Sequence, residues 1–115
     1  ITPLATLPDL RALDIANITP CPNLLGIEKF TKVNTLDVSD IGVNDEGLAR
    51  AATLPLRSLK VNHSKVTDAG VRKLKDKTSL RELQFNYCDK VSAAAIDYLH
   101  AQLPKTTITH KSMDD

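Results

Sequence analysis

The sequence predicts an α/β solenoid of stacked strand, turn and helix units, and two observations carry that prediction. The stretch Leu80-Arg81-Glu82-Leu83-Gln84-Phe85-Asn86-Tyr87-Cys88 returns upstream as Leu56-Arg57-Ser58-Leu59-Lys60-Val61-Asn62, as Val33-Asn34-Thr35-Leu36-Asp37-Val38-Ser39 and as Leu10-Arg11-Ala12-Leu13-Asp14-Ile15-Ala16. The first positions, Leu10, Val33, Leu56 and Leu80, follow one another at 23, 23 and 24 residues, a fixed period that marks a solenoid rather than a globule around one central core. The first, fourth and sixth positions of every copy are apolar: Leu10, Leu13, Ile15; Val33, Leu36, Val38; Leu56, Leu59, Val61; Leu80, Leu83, Phe85. In a chain that is 42% hydrophobic such a run arises by chance roughly a few times in a hundred thousand, so burial sets the period.

The 115 residues form a single domain,. Residues 1–9 read as the tail of a preceding, incomplete unit. Leu4 and Leu7 have helical spacing, and Thr6-Leu7-Pro8 stands before the first strand as Thr53-Leu54-Pro55 stands before the third. The expectation is that more chain, either further repeats or a neighbouring subunit, covers the N-terminal end. Units then span 10–32, 33–55, 56–79 and 80–102. Side chains alternate along a strand, so the fourth and sixth positions face inward and the third and fifth outward.

After each of the last three strands one apolar residue, Val43, Val66 or Val91, returns to the core, and a helix follows. Asn44, Thr67 and Ser92 are suited to cap it by accepting a hydrogen bond from a first-turn amide. Asp45 and Asp68 stand at the positive end of the helix dipole. Gly47, Gly70 and Ala95 allow the helix to approach its neighbour, while Leu48, Val71, Ile96 and Ala51, Leu74, Leu99 complete a buried stripe,.

The first unit departs from this plan. Pro20-Cys21-Pro22-Asn23 replaces the apolar residue and cap, and Leu24, Ile27 and Phe30 supply the buried side of a shorter, less regular helix. Beyond Leu103 a degraded capping strand is expected over 103–111, with Thr106 and Ile108 at the spacing of the fourth and sixth positions. Its polar threonines suit an edge that must not recruit another strand. Residues 112–115 read as a disordered tail.

Composition narrows the function. A net charge of +1 and only 3% aromatic residues, with no Trp, argue against nucleic acid, which needs a basic surface or stacking platforms. No apolar run is long enough to span a membrane, and no signal-peptide pattern opens the chain. Cys21 and Cys88 lie three strands apart, about 14 Å at ~4.8 Å per strand, too far for a disulfide. Free thiols favour a reducing, intracellular compartment. Asn17-Ile18-Thr19 and Asn62-His63-Ser64 match the glycosylation sequon, which matters only in a secreted protein,. No phosphate loop, paired catalytic carboxylates or nucleophile elbow is present, so neither cofactor nor enzyme activity is expected.

The strand motif, together with Ile41-Gly42-Val43-Asn44-Asp45-Glu46-Gly47-Leu48 and Lys65-Val66-Thr67-Asp68-Ala69-Gly70-Val71, resembles the leucine-rich repeat family over essentially the whole chain. Leu80 to Cys88 with Val91-Ser92 is similar to the cysteine-containing repeats of F-box substrate receptors, and the Asp-Glu-Gly-Leu and Asp-Ala-Gly-Val segments resemble bacterial repeat effectors. Only Cys88 carries the subtype's cysteine; Ile18, Ile41 and Ser64 stand in its place elsewhere. The resemblance implies a right-handed superhelix with a parallel concave sheet and convex helices, and binding of a protein partner on the concave face. It also implies an inward-facing Cys88 bonded to backbone groups.

Partner contacts are therefore expected at outward positions. These are Ala12, Asp14 and Asn17; Thr35, Asp37 and Asp40; Ser58, Lys60 and His63; Glu82, Gln84 and Tyr87, with Arg57 and Arg81 flanking. Asp14, Asp37, Asp40, Arg57, Lys60, His63, Arg81, Gln84 and Tyr87 are the strongest candidates, and the divided charge would orient a partner of opposite arrangement. Tyr87, expected beside Arg81 and His63, has the composition of an interface hot spot. A lone histidine with neither cysteine on its side is a surface residue rather than a ligand. The expected function is a non-enzymatic protein-interaction module, with the recognition arm of a ubiquitin ligase and a structural subunit or assembly factor as alternatives.

Overall fold

Five strands of three residues each, β1 (Ala12–Asp14), β2 (Thr35–Asp37), β3 (Ser58–Lys60), β4 (Glu82–Gln84) and β5 (Thr107–Thr109), form one parallel sheet in chain order. The computed structural model describes residues 10–16 and 24–111. The expectations for residues 1–9, Asn17, the Asn17 sequon, Pro20, Cys21, Pro22 and residues 112–115 fall outside these.

The register follows the repeat. Leu13, Leu36, Leu59, Leu83 and Ile108 stand opposite one another as one column. The first four are buried. Ile15, Val38, Val61 and Phe85, two residues further on, are buried as well. A parallel sheet needs a crossover between strands. Helices α1 (Asp45–Ala51), α2 (Asp68–Arg72) and α3 (Ala93–Gln102) supply it after β2, β3 and β4, α2 being extended by a 3-10 turn at Lys73–Asp76. Val43, Val66, Val91, Leu48, Val71, Ile96, Ala51, Leu74 and Leu99 join the strand residues in one continuous core. Among the described residues of the first unit the crossover holds a 3-10 turn, Ile27–Lys29, with Leu24, Ile27 and Phe30 all buried.

Two expectations are corrected. Thr106 and Ile108 are not the fourth and sixth positions of the last strand: Ile108 stands opposite Leu83, at the fourth, and His110 takes the sixth. Thr106 is buried because its hydroxyl donates to Leu80 O at 2.7 Å, as Ser79 donates to Leu56 O at 2.8 Å one repeat earlier.

The second concerns the helix starts. Asn44 and Ser92 cap as expected, accepting from Gly47 N at 2.9 Å and Ala95 N at 3.2 Å. Thr67 makes no such bond. Its hydroxyl instead donates to Asp45 Oδ2 at 2.6 Å while its amide donates to Asp45 Oδ1 at 2.7 Å. Asp68 holds Ser92 the same way, accepting from its amide and hydroxyl at 2.7 Å each. These carboxylates bracket one repeat to the next in addition to facing a helix dipole, and charge-assisted bonds of this kind are about twice as strong as neutral ones. Both Ser92 bonds favour the ionised form, so the Asp68 carboxyl sits below the ordinary carboxylate range,. Gly70 is required beside the first bracket: a Cβ there would lie 2.7 Å from Asp45 Cγ and still closer to Asp45 Oδ1.

Candidate functional site

The outward face of the sheet is a grid whose rows run across the strands. The third-position row is Ala12, Thr35, Ser58, Glu82, Thr107, and the fifth-position row is Asp14, Asp37, Lys60, Gln84, Thr109. Beyond the strand ends a further column holds Asp40, His63 and Tyr87, all in the left-handed region with φ of 63°, 52° and 61°. That conformation costs a non-glycine residue about 1–2 kcal/mol. It is held because each of these amides donates to the next repeat: Asp40 N to Asn62 O at 3.0 Å, His63 N to Asn86 O at 2.9 Å, and Tyr87 N to Lys111 O at 2.7 Å. The side chains then line up, with the His63 and Tyr87 rings 4.9 Å apart and tilted by 33°, and His63 Nδ1 4.0 Å from Asp40 Oδ1.

Between strands and column lies a polar ladder. Ser39 Oγ accepts from Asn62 N at 3.0 Å, Asn62 Oδ1 from Asn86 N at 2.9 Å and Asn86 Oδ1 from Lys111 N at 3.0 Å. Asn62 Nδ2 donates to Gln84 Oε1 at 3.1 Å. The amide of the second sequon is thus engaged inside the fold, half-buried, and does not stand free as a glycan acceptor. Cys88 is buried, and its thiol lies 3.2 Å from both Val61 O, to which it donates, and Ser64 Oγ. The inward, backbone-bonded cysteine is as the resemblance implied.

The candidate residues do not form one site. Tyr87 and His63 meet, but Arg81 is not beside them: it precedes β4 while Tyr87 follows it. The Arg81 guanidinium folds back on its own loop, donating through Nη1 to Thr78 O at 2.7 Å and Leu80 O at 3.0 Å. There it lines a cavity of about 360 Å3 with Gln102, Leu103, Pro104, Lys105 and Thr106, a recess that the motif alone did not reveal because it joins a strand end to the end of α3. Gln84 is engaged at both ends of its amide, by Asn62 and by Glu82 Oε1 at 2.9 Å. Arg57 is exposed at the start of β3.

Asp14, Asp37 and Lys60 do share a site. They line a cavity of about 280 Å3 over β1, β2 and β3 together with Ala12, Leu13, Thr35, Leu36 and Ser58. Asp14 Oδ1 accepts from Ala16 N at 2.9 Å and Asp37 Oδ1 from Ser39 N at 3.0 Å, so each carboxylate also closes its own turn. Asp37 stands between Asp14 and Lys60 in register, yet among the described residues no ion pair joins the three. Among the described residues, no three His, Cys, Asp or Glu side chains come together as a metal site, and no helix is long and apolar enough to cross a membrane.

Comparison with known proteins adds one finding. None of the curated proteins compared with the chain matches it. A family model described as Leucine Rich repeat matches residues 55–75, the span that carries β3 and α2. The same inward column runs through the flanking repeats, and the match supports this chain as a leucine-rich repeat protein.

Proposed function

We propose that the protein is a non-enzymatic interaction module that docks another protein on the outward face of its sheet, as part of a larger protein or complex. The family match supports a protein-interaction module in general. The observation that carries the finer reading is the open trough over β1 to β3, where polar and charged side chains line a recess without bonding one another across the strands. A pre-formed surface of this kind limits the ordering cost of association. Neither nucleic acid nor membrane is part of this reading, and the compartment it assumes is intracellular.

The test is site-specific photo-crosslinking in the native cell extract. A photoreactive residue at Thr35 or Ser58 is expected to give discrete protein adducts that one at Ala49 or Ala69, exposed on α1 and α2, does not. Adducts confined to the helix positions would refute sheet-face docking.

A second reading, the recognition arm of an F-box ubiquitin ligase, is favoured by the buried, carbonyl-bonded Cys88. Co-purification of the full-length protein with a ubiquitin-ligase scaffold supports it, and its absence from such complexes removes it.

A further inference from the structure

We infer that the trough over β1 to β3 accepts an extended segment of a partner protein that crosses the strands and carries one basic and one acidic side chain two residues apart. The inference rests on the sheet-face reading and adds the chemistry of the occupant.

Three observations lead to it. Along the third-position row, Ala12, Thr35 and Ser58 are short, and the row lengthens only at Glu82, so a channel runs across β1, β2 and β3 and stops at β4. Along its side stand two carboxylates and one ammonium, Asp14 and Asp37 on adjacent strands and Lys60 on the next. Like charges directly opposite each other across a strand pair are unfavourable, and although Lys60 stands across from Asp37, among the described residues no ion pair joins it to either carboxylate. Around β4 the polar groups are engaged: Gln84 bonds Asn62 and Glu82, and Tyr87 packs on His63. The unbalanced charges and the free volume therefore coincide at one end of the face.

Spacing fixes the occupant. Strands in a sheet are about 4.8 Å apart, so the midpoint of the two carboxylates lies one and a half spacings, ~7 Å, from the Lys60 stem. An extended chain places the side chains of alternate residues on one face about 6.6–6.8 Å apart. One residue of such a segment thus answers the aspartate pair with an ammonium or guanidinium, and the next residue on the same face answers Lys60 with a carboxylate. A guanidinium is favoured at the first position because its planar fork bridges carboxylates. The order of the two charges follows from the direction in which the segment runs.

The experiment is selection of binders from a displayed random peptide library against the folded protein and three variants. Wild type is expected to enrich peptides with opposite charges at i and i+2. D14K combined with D37K leaves a wholly basic row and should select acidic peptides, whereas K60E leaves a wholly acidic row and should select basic ones. Peptides chosen by wild type should bind either variant at least about tenfold more weakly, since like-charge juxtaposition is strongly penalised. Where lysine disturbs the turns closed by Asp14 and Asp37, D14N with D37N keeps their oxygen acceptors and should drop only the basic residue from the selected pattern. Peptides lost in the variants but lacking the charge pair would overturn this inference and leave sheet-face docking intact. Peptides indifferent to every variant, or no binders to wild type, would overturn both.

Discussion

The two ends of the outward sheet face make opposite use of the same backbone. Around β4 the polar side chains answer one another: Asn62 reaches Gln84, Gln84 reaches Glu82, and Arg81 folds onto the carbonyls of Thr78 and Leu80. From β1 to β3 the rows Ala12, Thr35, Ser58 and Asp14, Asp37, Lys60 form no such bonds across the strands among the described residues, and a cavity opens over them. Side-chain chemistry explains the difference. Asn and Gln carry a donor and an acceptor and reach across a strand spacing, whereas two neighbouring carboxylates only accept and cannot bond each other when ionised. The lesson is that a repeated scaffold sets where side chains point, and residue type at each rung decides whether they close the surface or leave it for another molecule.

The helix side repeats the contrast. Asp45 brackets Thr67, and Asp68 brackets Ser92, while α1 meets the irregular first unit through the Arg50 to Glu28 ion pair at 3.6 Å. Ala93 stands where the bracketing aspartates stand in α1 and α2, so α3 has no carboxylate at that position.

Four experiments probe the contrast between the two halves. The largest effect is expected at the core column shared by both halves. Leu59→Ala should cost about 2–5 kcal/mol, and the unfolding curve should stay a single transition; two resolved transitions by circular dichroism would show that the halves fold separately. Gly70→Val should cost about 1–3 kcal/mol through the clash with the Asp45 carboxylate. Unchanged denaturant midpoints would mean that the bracket yields freely. On the sheet face itself, Gln84→Ala should cost about 0.5–1.5 kcal/mol for its lost bonds, while Lys60→Ala should stay within about 0.5 kcal/mol. Equal losses at the two positions would show that the two halves of the face do not differ.

The smallest effect concerns pH. The folded Asp68 carboxyl titrates below its ordinary value of 3.8, so its contribution to stability is present above that value and is lost as pH falls through the depressed folded value. Melting temperature should therefore fall more steeply in wild type than in D68N as pH drops below about 4. Parallel slopes would show that the bracket is not sensed by folding.

How far this could be read in advance varied with the physics involved. Inward positions were legible because burial acts on each repeat in the same way, and Leu13, Leu36, Leu59 and Leu83 stack as the period requires. The register of β5 was not, since Thr106 is buried through a hydroxyl bond to Leu80 O rather than by apolar packing. The role of Thr67 was missed for a related reason. A hydroxyl both donates and accepts, and only the position of Asp45 one repeat away decides which it does. Among the outward candidates, Asp14, Asp37 and Lys60 fall together because one row of the repeat joins them. Arg81 and Tyr87 were separated by their places at opposite ends of β4, which composition does not encode.

Backbone amide NMR during titration with a peptide that binds the wild-type protein tests the division most directly. The largest shift changes are expected at residues 12–14, 35–37 and 58–60, with residues 82–84 and 107–109 nearly still. The largest changes at 82–84 and 107–109, or on the helices, would contradict it.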